Sequence, residues 1–400
     1  MNRKISLGKA IALTIIAVAV TIAITMSVSM RIYDNLIKDL PGRVKMYSAI
    51  SSIDDVVRKE FFGEIDEIYL NKNIARGYIE GLNDKSSFFM TADEYIEYYN
   101  REQGRVSGIG ITHRLNTDTG NLYITGVAKS SPAESAGLKI GDEITKIGGD
   151  SVTATSYKEL SKNLEGEKMT NVNVTYTRGG ESKTVNVVIG YSLTTVSYRM
   201  IGNTAFVTIT GFYENTVAQF KEVINEIRNN GATGIIFDVR NCSQGSIKYA
   251  IDVIDVLVPL ATDGTKAIAT AVNSDGKTIK SFPADADDVI LPIVVLTNEQ
   301  TSGGAELLAC DLRDFKRAEI VGTTTGGVGT MQSVYQFEDG SAVVLTVAEI
   351  IPYKSDSFNK VGVKPDYDIK LTSAQSKSIG IMDESKDPHI KKALSLLPQE

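Results

Sequence analysis

Residues 291–332 read LPIVVLTNEQTSGGAELLACDLRDFKRAEIVGTTTGGVGTMQ, and this stretch constrains the chain more than any other. An apolar, β-branched run at 293–296 stops at a polar corner, 298–301, and a helical pattern with Glu306 in its first turn follows. Strand, sharp turn and helix in that order hold one side chain out of a sheet. They also aim the amide N–H groups of the helix start at a developing negative charge.

The residues of this stretch resemble the carboxyl-terminal processing (tail-specific) serine peptidases. In that family the turn reads Thr/Ser-Ala-Ser-Ala-Ser/Ala-Glu with its middle serine as nucleophile, and a later Gly-Lys-Gly-Thr/Ser-Val-Gln supplies a lysine base. Matching Glu306, Gly329, Thr330 and Gln332 to that pattern puts the nucleophile position at Gly303 and the base position at Val328. Glycine has no hydroxyl to attack a carbonyl, and valine has no lone pair to take a proton. The resemblance therefore implies a family member with no intact catalytic dyad. Gln332, which orients the lysine in the family, has nothing to orient. An alternative is an active serine endopeptidase in which Ser302, one position earlier, or Ser243 is the nucleophile. Such an enzyme needs a rebuilt turn and a base, and Lys248 and Lys316 are the nearest lysines in sequence.

The segment DVRNCSQG at 238–245 resembles the family's Asp-Leu-Arg-Asn-Asn-Pro-Gly-Gly loop, which lends an N–H to the oxyanion hole. Ser243 stands for the proline and Gln244 for the first glycine. The oxyanion region implied is Gln244, Gly245 and Gly304, and losing a glycine at 244 is expected to close or reshape it. Asp238 and Arg240 read as structural.

The chain divides by pattern into a basic N-terminus (1–9), an uncharged segment (10–30), a helical region (31–103), a β-rich domain (104–190) and an α/β core (191–400). The uncharged segment meets the ~20 residues that a membrane crossing needs. It predicts a single-pass signal anchor at the cell membrane with the bulk of the chain outside the cytoplasm; Ser27, Val28 and Ser29 offer the alternative of a cleavage site. Across 45–104 apolar residues recur at helical spacing, and Thr91 with Glu94 forms a capping-box pattern. The run 74–99 is similar to the family's N-terminal helices; its aromatic residues read as packing residues. These helices are expected to carry any association of the chain with itself or with an active relative.

Within 104–190, SPAESAGLKIGDEITKIGG at 131–149 is similar to the PDZ domains of the same family. Pro132 falls at the first turn of a short helix and Gly137 at its end, 156–164 is a second helix, and Gly179 and Gly180 turn a hairpin. The loop Gly108, Ile109, Gly110, Ile111 is the candidate peptide-binding element. Its backbone N–H groups suit a terminal carboxylate, an added strand can pair beside it, and Ile109 and Ile111 are expected to help line an apolar pocket. Extended peptides or protein carboxyl termini are the partners implied.

Beyond residue 191 strands and helices alternate, at 205–212, 218–230, 232–241, 247–257, 293–297, 305–314, 318–321 and 342–349. That order predicts an α/β fold with a mostly parallel sheet covered by helices. The net charge of −7 and pI near 5.2 exclude nucleic acid as a partner. Two histidines, His113 and His389, and two cysteines, Cys242 and Cys310, are too few for the usual metal sites, and no cofactor motif is present. Both histidines read as surface residues. Cys242 reads as a buried small hydrophobe, and its pairing with Cys310 is left open.

Overall fold

The computed structural model describes residues 7–37, 40–165, 170–259, 267–284 and 291–398. It contains two compact units, Met1–Ile74 and Ala75–Glu400.

The first unit is helical, with helices Leu7–Ile37 and Leu40–Glu60 and the start of Glu67–Glu80. Arg58 clamps its turn, reaching Asp54 Oδ2 at 2.8 Å and Glu67 Oε1 at 2.5 Å. All three side chains are exposed, so solvent screening leaves this clamp little weight in stability. The anchor expected at 10–30 is corrected: among the described residues no helix is long and apolar enough to cross a membrane. Polar residues punctuate the apolar run of Leu7–Ile37. One of them, Thr21, turns its hydroxyl back onto Ala17 O at 2.8 Å.

The second unit opens with strand Phe88–Met90 and helix Ala92–Glu102. The capping box forms as the sequence predicts: Glu94 N–H donates to Thr91 Oγ1 at 3.4 Å, and Thr91 N–H to Glu94 Oε2 at 2.9 Å. A six-strand antiparallel sheet follows in the order Ile111–Leu115, Leu122–Val127, Glu143–Ile147, Thr170–Arg178, Glu181–Ile189, with Asp150–Ser151 also paired to Glu143–Ile147. Its core includes Leu122, Ile124, Ile144, Ile147 and Val174, all fully buried. Pro132 begins helix Pro132–Ser135, Ser131 Oγ caps it, and Gly137 at φ 79° ends it. The expected second helix is shorter than predicted, one α-turn Tyr157–Leu160 running into a tighter turn Ser161–Leu164. Gly179 and Gly180, both at positive φ, make the two-residue turn that matches strand twist.

The core sheet runs Val196–Ile201, Thr204–Ile209, Gly234–Asp238, Ile293–Thr297, Ala318–Gly322, Tyr367–Asp368, and only the first pair is antiparallel. Every residue of Gly234–Asp238 and Ile293–Thr297 is buried, because both faces are covered. One face packs Ile235, Phe237, Ile293 and Val295 against helices Glu214–Asn229, Ile247–Asp255 and Gly304–Asp314. The other sets Ile236, Val294 and Leu296 against Ile390, Ala393 and Leu397 of the C-terminal segment. Fully burying each such side chain contributes about 1.5–3 kcal/mol. A second sheet that the alternation pattern does not reveal joins Phe88–Met90, Ala342–Ile351, Ala267–Val272 and Thr278–Pro283, with Thr330–Gln336 also paired to Ala342–Ile351.

Arg240 ties the far end of the chain to the core. Its guanidinium, with no exposure, donates Nε to Asp238 Oδ1 at 2.8 Å, Nη2 to Asp238 Oδ2 at 2.7 Å and Nη1 to Asp387 Oδ2 at 2.8 Å. His389 closes the cluster and is buried, not on the surface as its sequence context suggests; its Nε2 lies 2.7 Å from Ile369 O. Burial, with help from the Arg240 charge, lowers its pKa. Arg240→Ala strands two buried carboxylates, so we expect a loss of about 3–5 kcal/mol, read as a lower urea midpoint at unchanged slope.

Candidate functional site

Two cavities carry the residues singled out by sequence, one in the α/β core and one beside the glycine loop.

In the core, strand Ile293–Thr297 ends against the loop that follows Gly234–Asp238. Asn298 Oδ1 accepts from Asn241 N–H at 2.9 Å, and its Nδ2 donates to Asn241 Oδ1 at 2.7 Å. Thr301 Oγ1 donates to Val239 O at 2.9 Å, and Ser302 N–H to Cys242 O at 2.9 Å. The chain then turns at Gly303, with φ 64° and ψ −121°, and enters helix Gly304–Asp314. Few L side chains adopt that conformation, and a Cβ built on Gly303 meets no heavy atom within 4 Å. Position 303 is thus the apex of the turn, open in front. Gly304 is tightly enclosed: a Cβ there would lie 2.6 Å from Ala250 Cβ and 3.2 Å from the Phe212 ring.

Glu306 is wholly buried and holds the site together. Its Oε2 accepts from Gly303 N–H at 3.0 Å and from Val328 N–H at 2.7 Å; its Oε1 accepts from Gly327 N–H at 2.6 Å and from the Thr325 hydroxyl. One carboxylate therefore joins the turn at 303 to the strand entry at 328. Val328 itself is exposed on the cavity wall, and Gln332 binds Thr330 Oγ1 at 2.9 Å and Thr346 Oγ1 at 3.4 Å.

The loop at 241–245 takes its turn from Asn241 at φ 61° and Gly245 at φ 91°. Gln244 is not in the left-handed region, so no glycine is required there. Its carbonyl accepts from Phe212 N–H at 3.0 Å, and a Cβ on Gly245 would meet Phe212 O at 2.0 Å. A cavity of about 520 Å³ gathers Ser243, Gln244, Gly245, Ser302, Gly303, Gly304, Val328 and Gln332 in its lining. The structure thus brings the sequence-chosen positions of the core together. Lys85, Tyr98, Arg101 and Glu102, which sequence reading did not select, also line the cavity. Only the capping box at Thr91 hinted that this helix was positioned with care. Lys248 and Lys316 are not among the cavity residues. Cys242 and Cys310 are buried free thiols, each pushed up to about 12 by burial, so neither offers a thiolate near neutral pH.

The second cavity, about 460 Å³, is lined by Gly108, Ile109, Gly110 and Ile111 with Val127, His113 and Leu164. Gly108 and Gly110 sit at φ 81° and 82°, and a Cβ on Gly110 would lie 2.3 Å from Ser131 Cβ. The carbonyls of Gly108, Ile109 and Gly110 accept from Gly190, Ala133 and Ala128 N–H groups at 2.8, 3.0 and 2.8 Å. Ile109 is almost wholly in the domain core, and Ile111 begins the edge strand Ile111–Leu115. From that strand His113 Nδ1 meets Tyr157 Oη of the facing helix at 2.8 Å.

Comparison with known proteins accords with this layout. Residues 203–369 match the sequence profile of peptidase family S41, and residues 107–189 match that of PDZ domains. A probable CtpA-like serine protease of Staphylococcus haemolyticus is 27% identical over 334 residues, 83% of this chain and 65% of that protein. The carboxy-terminal processing protease CtpA of Bacillus subtilis is 26% identical over 331 residues, 81% of this chain and 69% of that one. The chain spans about two thirds of the length of these curated relatives. Among solved structures, the photosystem II D1 C-terminal processing protease is similar at 24% identity with a TM-score of 0.48, over 80% of this chain and 86% of that one. The chain is similar to the C-terminal processing serine peptidases, residues 107–189 matching a PDZ domain and residues 203–369 a family S41 core.

Replacing Glu306 by Gln turns one acceptor oxygen into a donor facing N–H groups. We expect about 2 kcal/mol or more of destabilisation by urea titration, and amide exchange that accelerates first at 327–329.

Proposed function

We propose that this chain binds extended polypeptides or protein carboxyl termini through its PDZ domain and does not cleave them. The observation that carries the reading is Gly303: the apex of the strand-to-helix turn faces open cavity and bears no side chain. Across from it, Val328 is held by the same carboxylate and offers no proton acceptor. We read Gly303 and Val328 as the family's nucleophile and base positions, and Gly245 and Gly304 as what is left of its oxyanion region. The glycine loop supports the binding half. Among the described residues no hydrogen bond takes the N–H groups of Ile109 or Gly110, and the edge strand beside them can accept a further strand.

An active enzyme built on Ser302 has less behind it. Ser302 N–H is bonded to Cys242 O, and no hydrogen bond joins the Ser302 hydroxyl to a base among the described residues. Its side chain lies where the turn is already committed, with its Cβ 3.4 Å from where a Cβ on Gly326 would stand.

Purified protein mixed with an unstructured polypeptide that ends in apolar residues should retain it without fragmenting it. The paired replacement Gly303→Ser and Val328→Lys should introduce slow cleavage, at a cost of about 1–3 kcal/mol in stability from the φ of position 303. Cleavage by the unaltered chain, lost in Ser302→Ala, would overturn the reading.

A further inference from the structure

Beside the core cavity lies another of about 320 Å³, lined by Tyr95, Tyr98, Tyr99, Tyr249, Glu102 and Met331 among others. Tyr98, Glu102, Gly245, Ile247 and Gln332 border both cavities, so the smaller one opens beside residues 302–304. Its lining comes chiefly from three elements: helix Ala92–Glu102 supplies three tyrosines and the glutamate, helix Ile247–Asp255 supplies Lys248 and Tyr249, and strand Thr330–Gln336 supplies Met331. The rings are held by packing, Phe88 on Tyr98 with centroids 6.0 Å apart and Tyr95 on Tyr99 at 6.2 Å.

We propose that this tyrosine-walled cavity is a specificity subsite for an ammonium or guanidinium side chain, lysine or arginine, of a polypeptide lying across the core, with Glu102 as the counter-charge. This rests on the reading that the chain binds polypeptides. Tyrosine faces attract cations, and a cavity lined by four tyrosines and one carboxylate offers a cation both kinds of partner. Glu102 makes no hydrogen bond or ion pair among the described residues, and burial pushes it up to about 7. An apolar guest leaves that carboxylate uncompensated when ionised; a cationic guest pairs with it. Three cations stand near it. Arg101, exposed, opposes the burial effect on Glu102, Lys85 lines the neighbouring cavity, and Lys248 lines this one, its ammonium 5.1 Å from the Tyr249 ring centroid. Tyr249 also feels Glu214 and Asp252, which add to the negative potential on that wall. Lys248 shows that a ring face of this wall accepts an ammonium.

The sign with pH follows. Glu102 is largely protonated at pH 6 and ionised at pH 8, so preference for the cationic guest is weak at the lower pH and strong at the higher. The test scans a fluorescent peptide with an apolar carboxyl terminus, placing lysine or its neutral isostere norleucine at each position in turn, against the full chain. At one position lysine should tighten binding at least tenfold at pH 8 and less than threefold at pH 6, and Glu102→Gln should abolish the difference. Equal affinities at every position, or a lysine preference unchanged in Glu102→Gln, would overturn the proposal. A second readout is independent of polypeptide binding: N-butylguanidinium titrated into tyrosine-13C-labelled chain should move Tyr95, Tyr98, Tyr99 and Tyr249. If it does while no peptide binds, the polypeptide reading falls and the cation site stands. If those resonances stay still and lysine brings no gain, the cation site falls alone.

Discussion

The buried carboxylate of Glu306 is the interaction on which the rest of the site depends. Its two oxygens collect four donors from three places: the turn at Gly303, the loop at Thr325, and the strand entry at Gly327 and Val328. Segments 22 to 25 residues apart are thereby fixed relative to one another. A carboxylate in that position suits a fold that must hold a nucleophile and a base in register. On the proposed reading, with Gly303 and Val328 at the nucleophile and base positions, the clamp stands without the side chains it would align, which separates the scaffold's architecture from its chemistry.

The sheet explains why the clamp can be so rigid. Strands Gly234–Asp238 and Ile293–Thr297 are buried on both faces, and the loops at their ends are joined by the reciprocal Asn241 and Asn298 bonds. Behind them, Arg240 links the strand end to Asp387 and so to the C-terminal helix Pro388–Leu396. Side chains at 243–245 and 302–304 therefore stand on a platform that local fluctuation cannot easily deform.

Much of this was legible in residue pattern. The apolar runs IIF and IVVL, the turn glycines 179 and 180, the Thr91 capping box and the Pro132 to Gly137 helix each follow from short-range physics, and each forms. What was hidden depends on contacts distant in sequence. Strand Phe88–Met90 pairs with Ala342–Ile351, and no local periodicity announces a partner so far along the chain. Lys85 and Glu102 face the site only because that pairing delivers their segment there. The apolar run at 10–30 suggested a membrane span on composition alone, and no described helix meets that requirement. His389 looked like a tail residue, and the Arg240 cluster buries it. Gln244 looked like a damaged turn, whereas the turn's left-handed torsions fall on Asn241 and Gly245.

The central claim is that the turn at 302–304 presents no activated hydroxyl. Incubating the chain with a fluorophosphonate, which phosphonylates activated serines with loss of fluoride, followed by intact-mass and peptide mapping, tests this most directly. The account predicts an unmodified chain, and a single adduct on Gly303→Ser when Val328→Lys is also present. A stoichiometric adduct on Ser302 or Ser243 of the unaltered chain would contradict it.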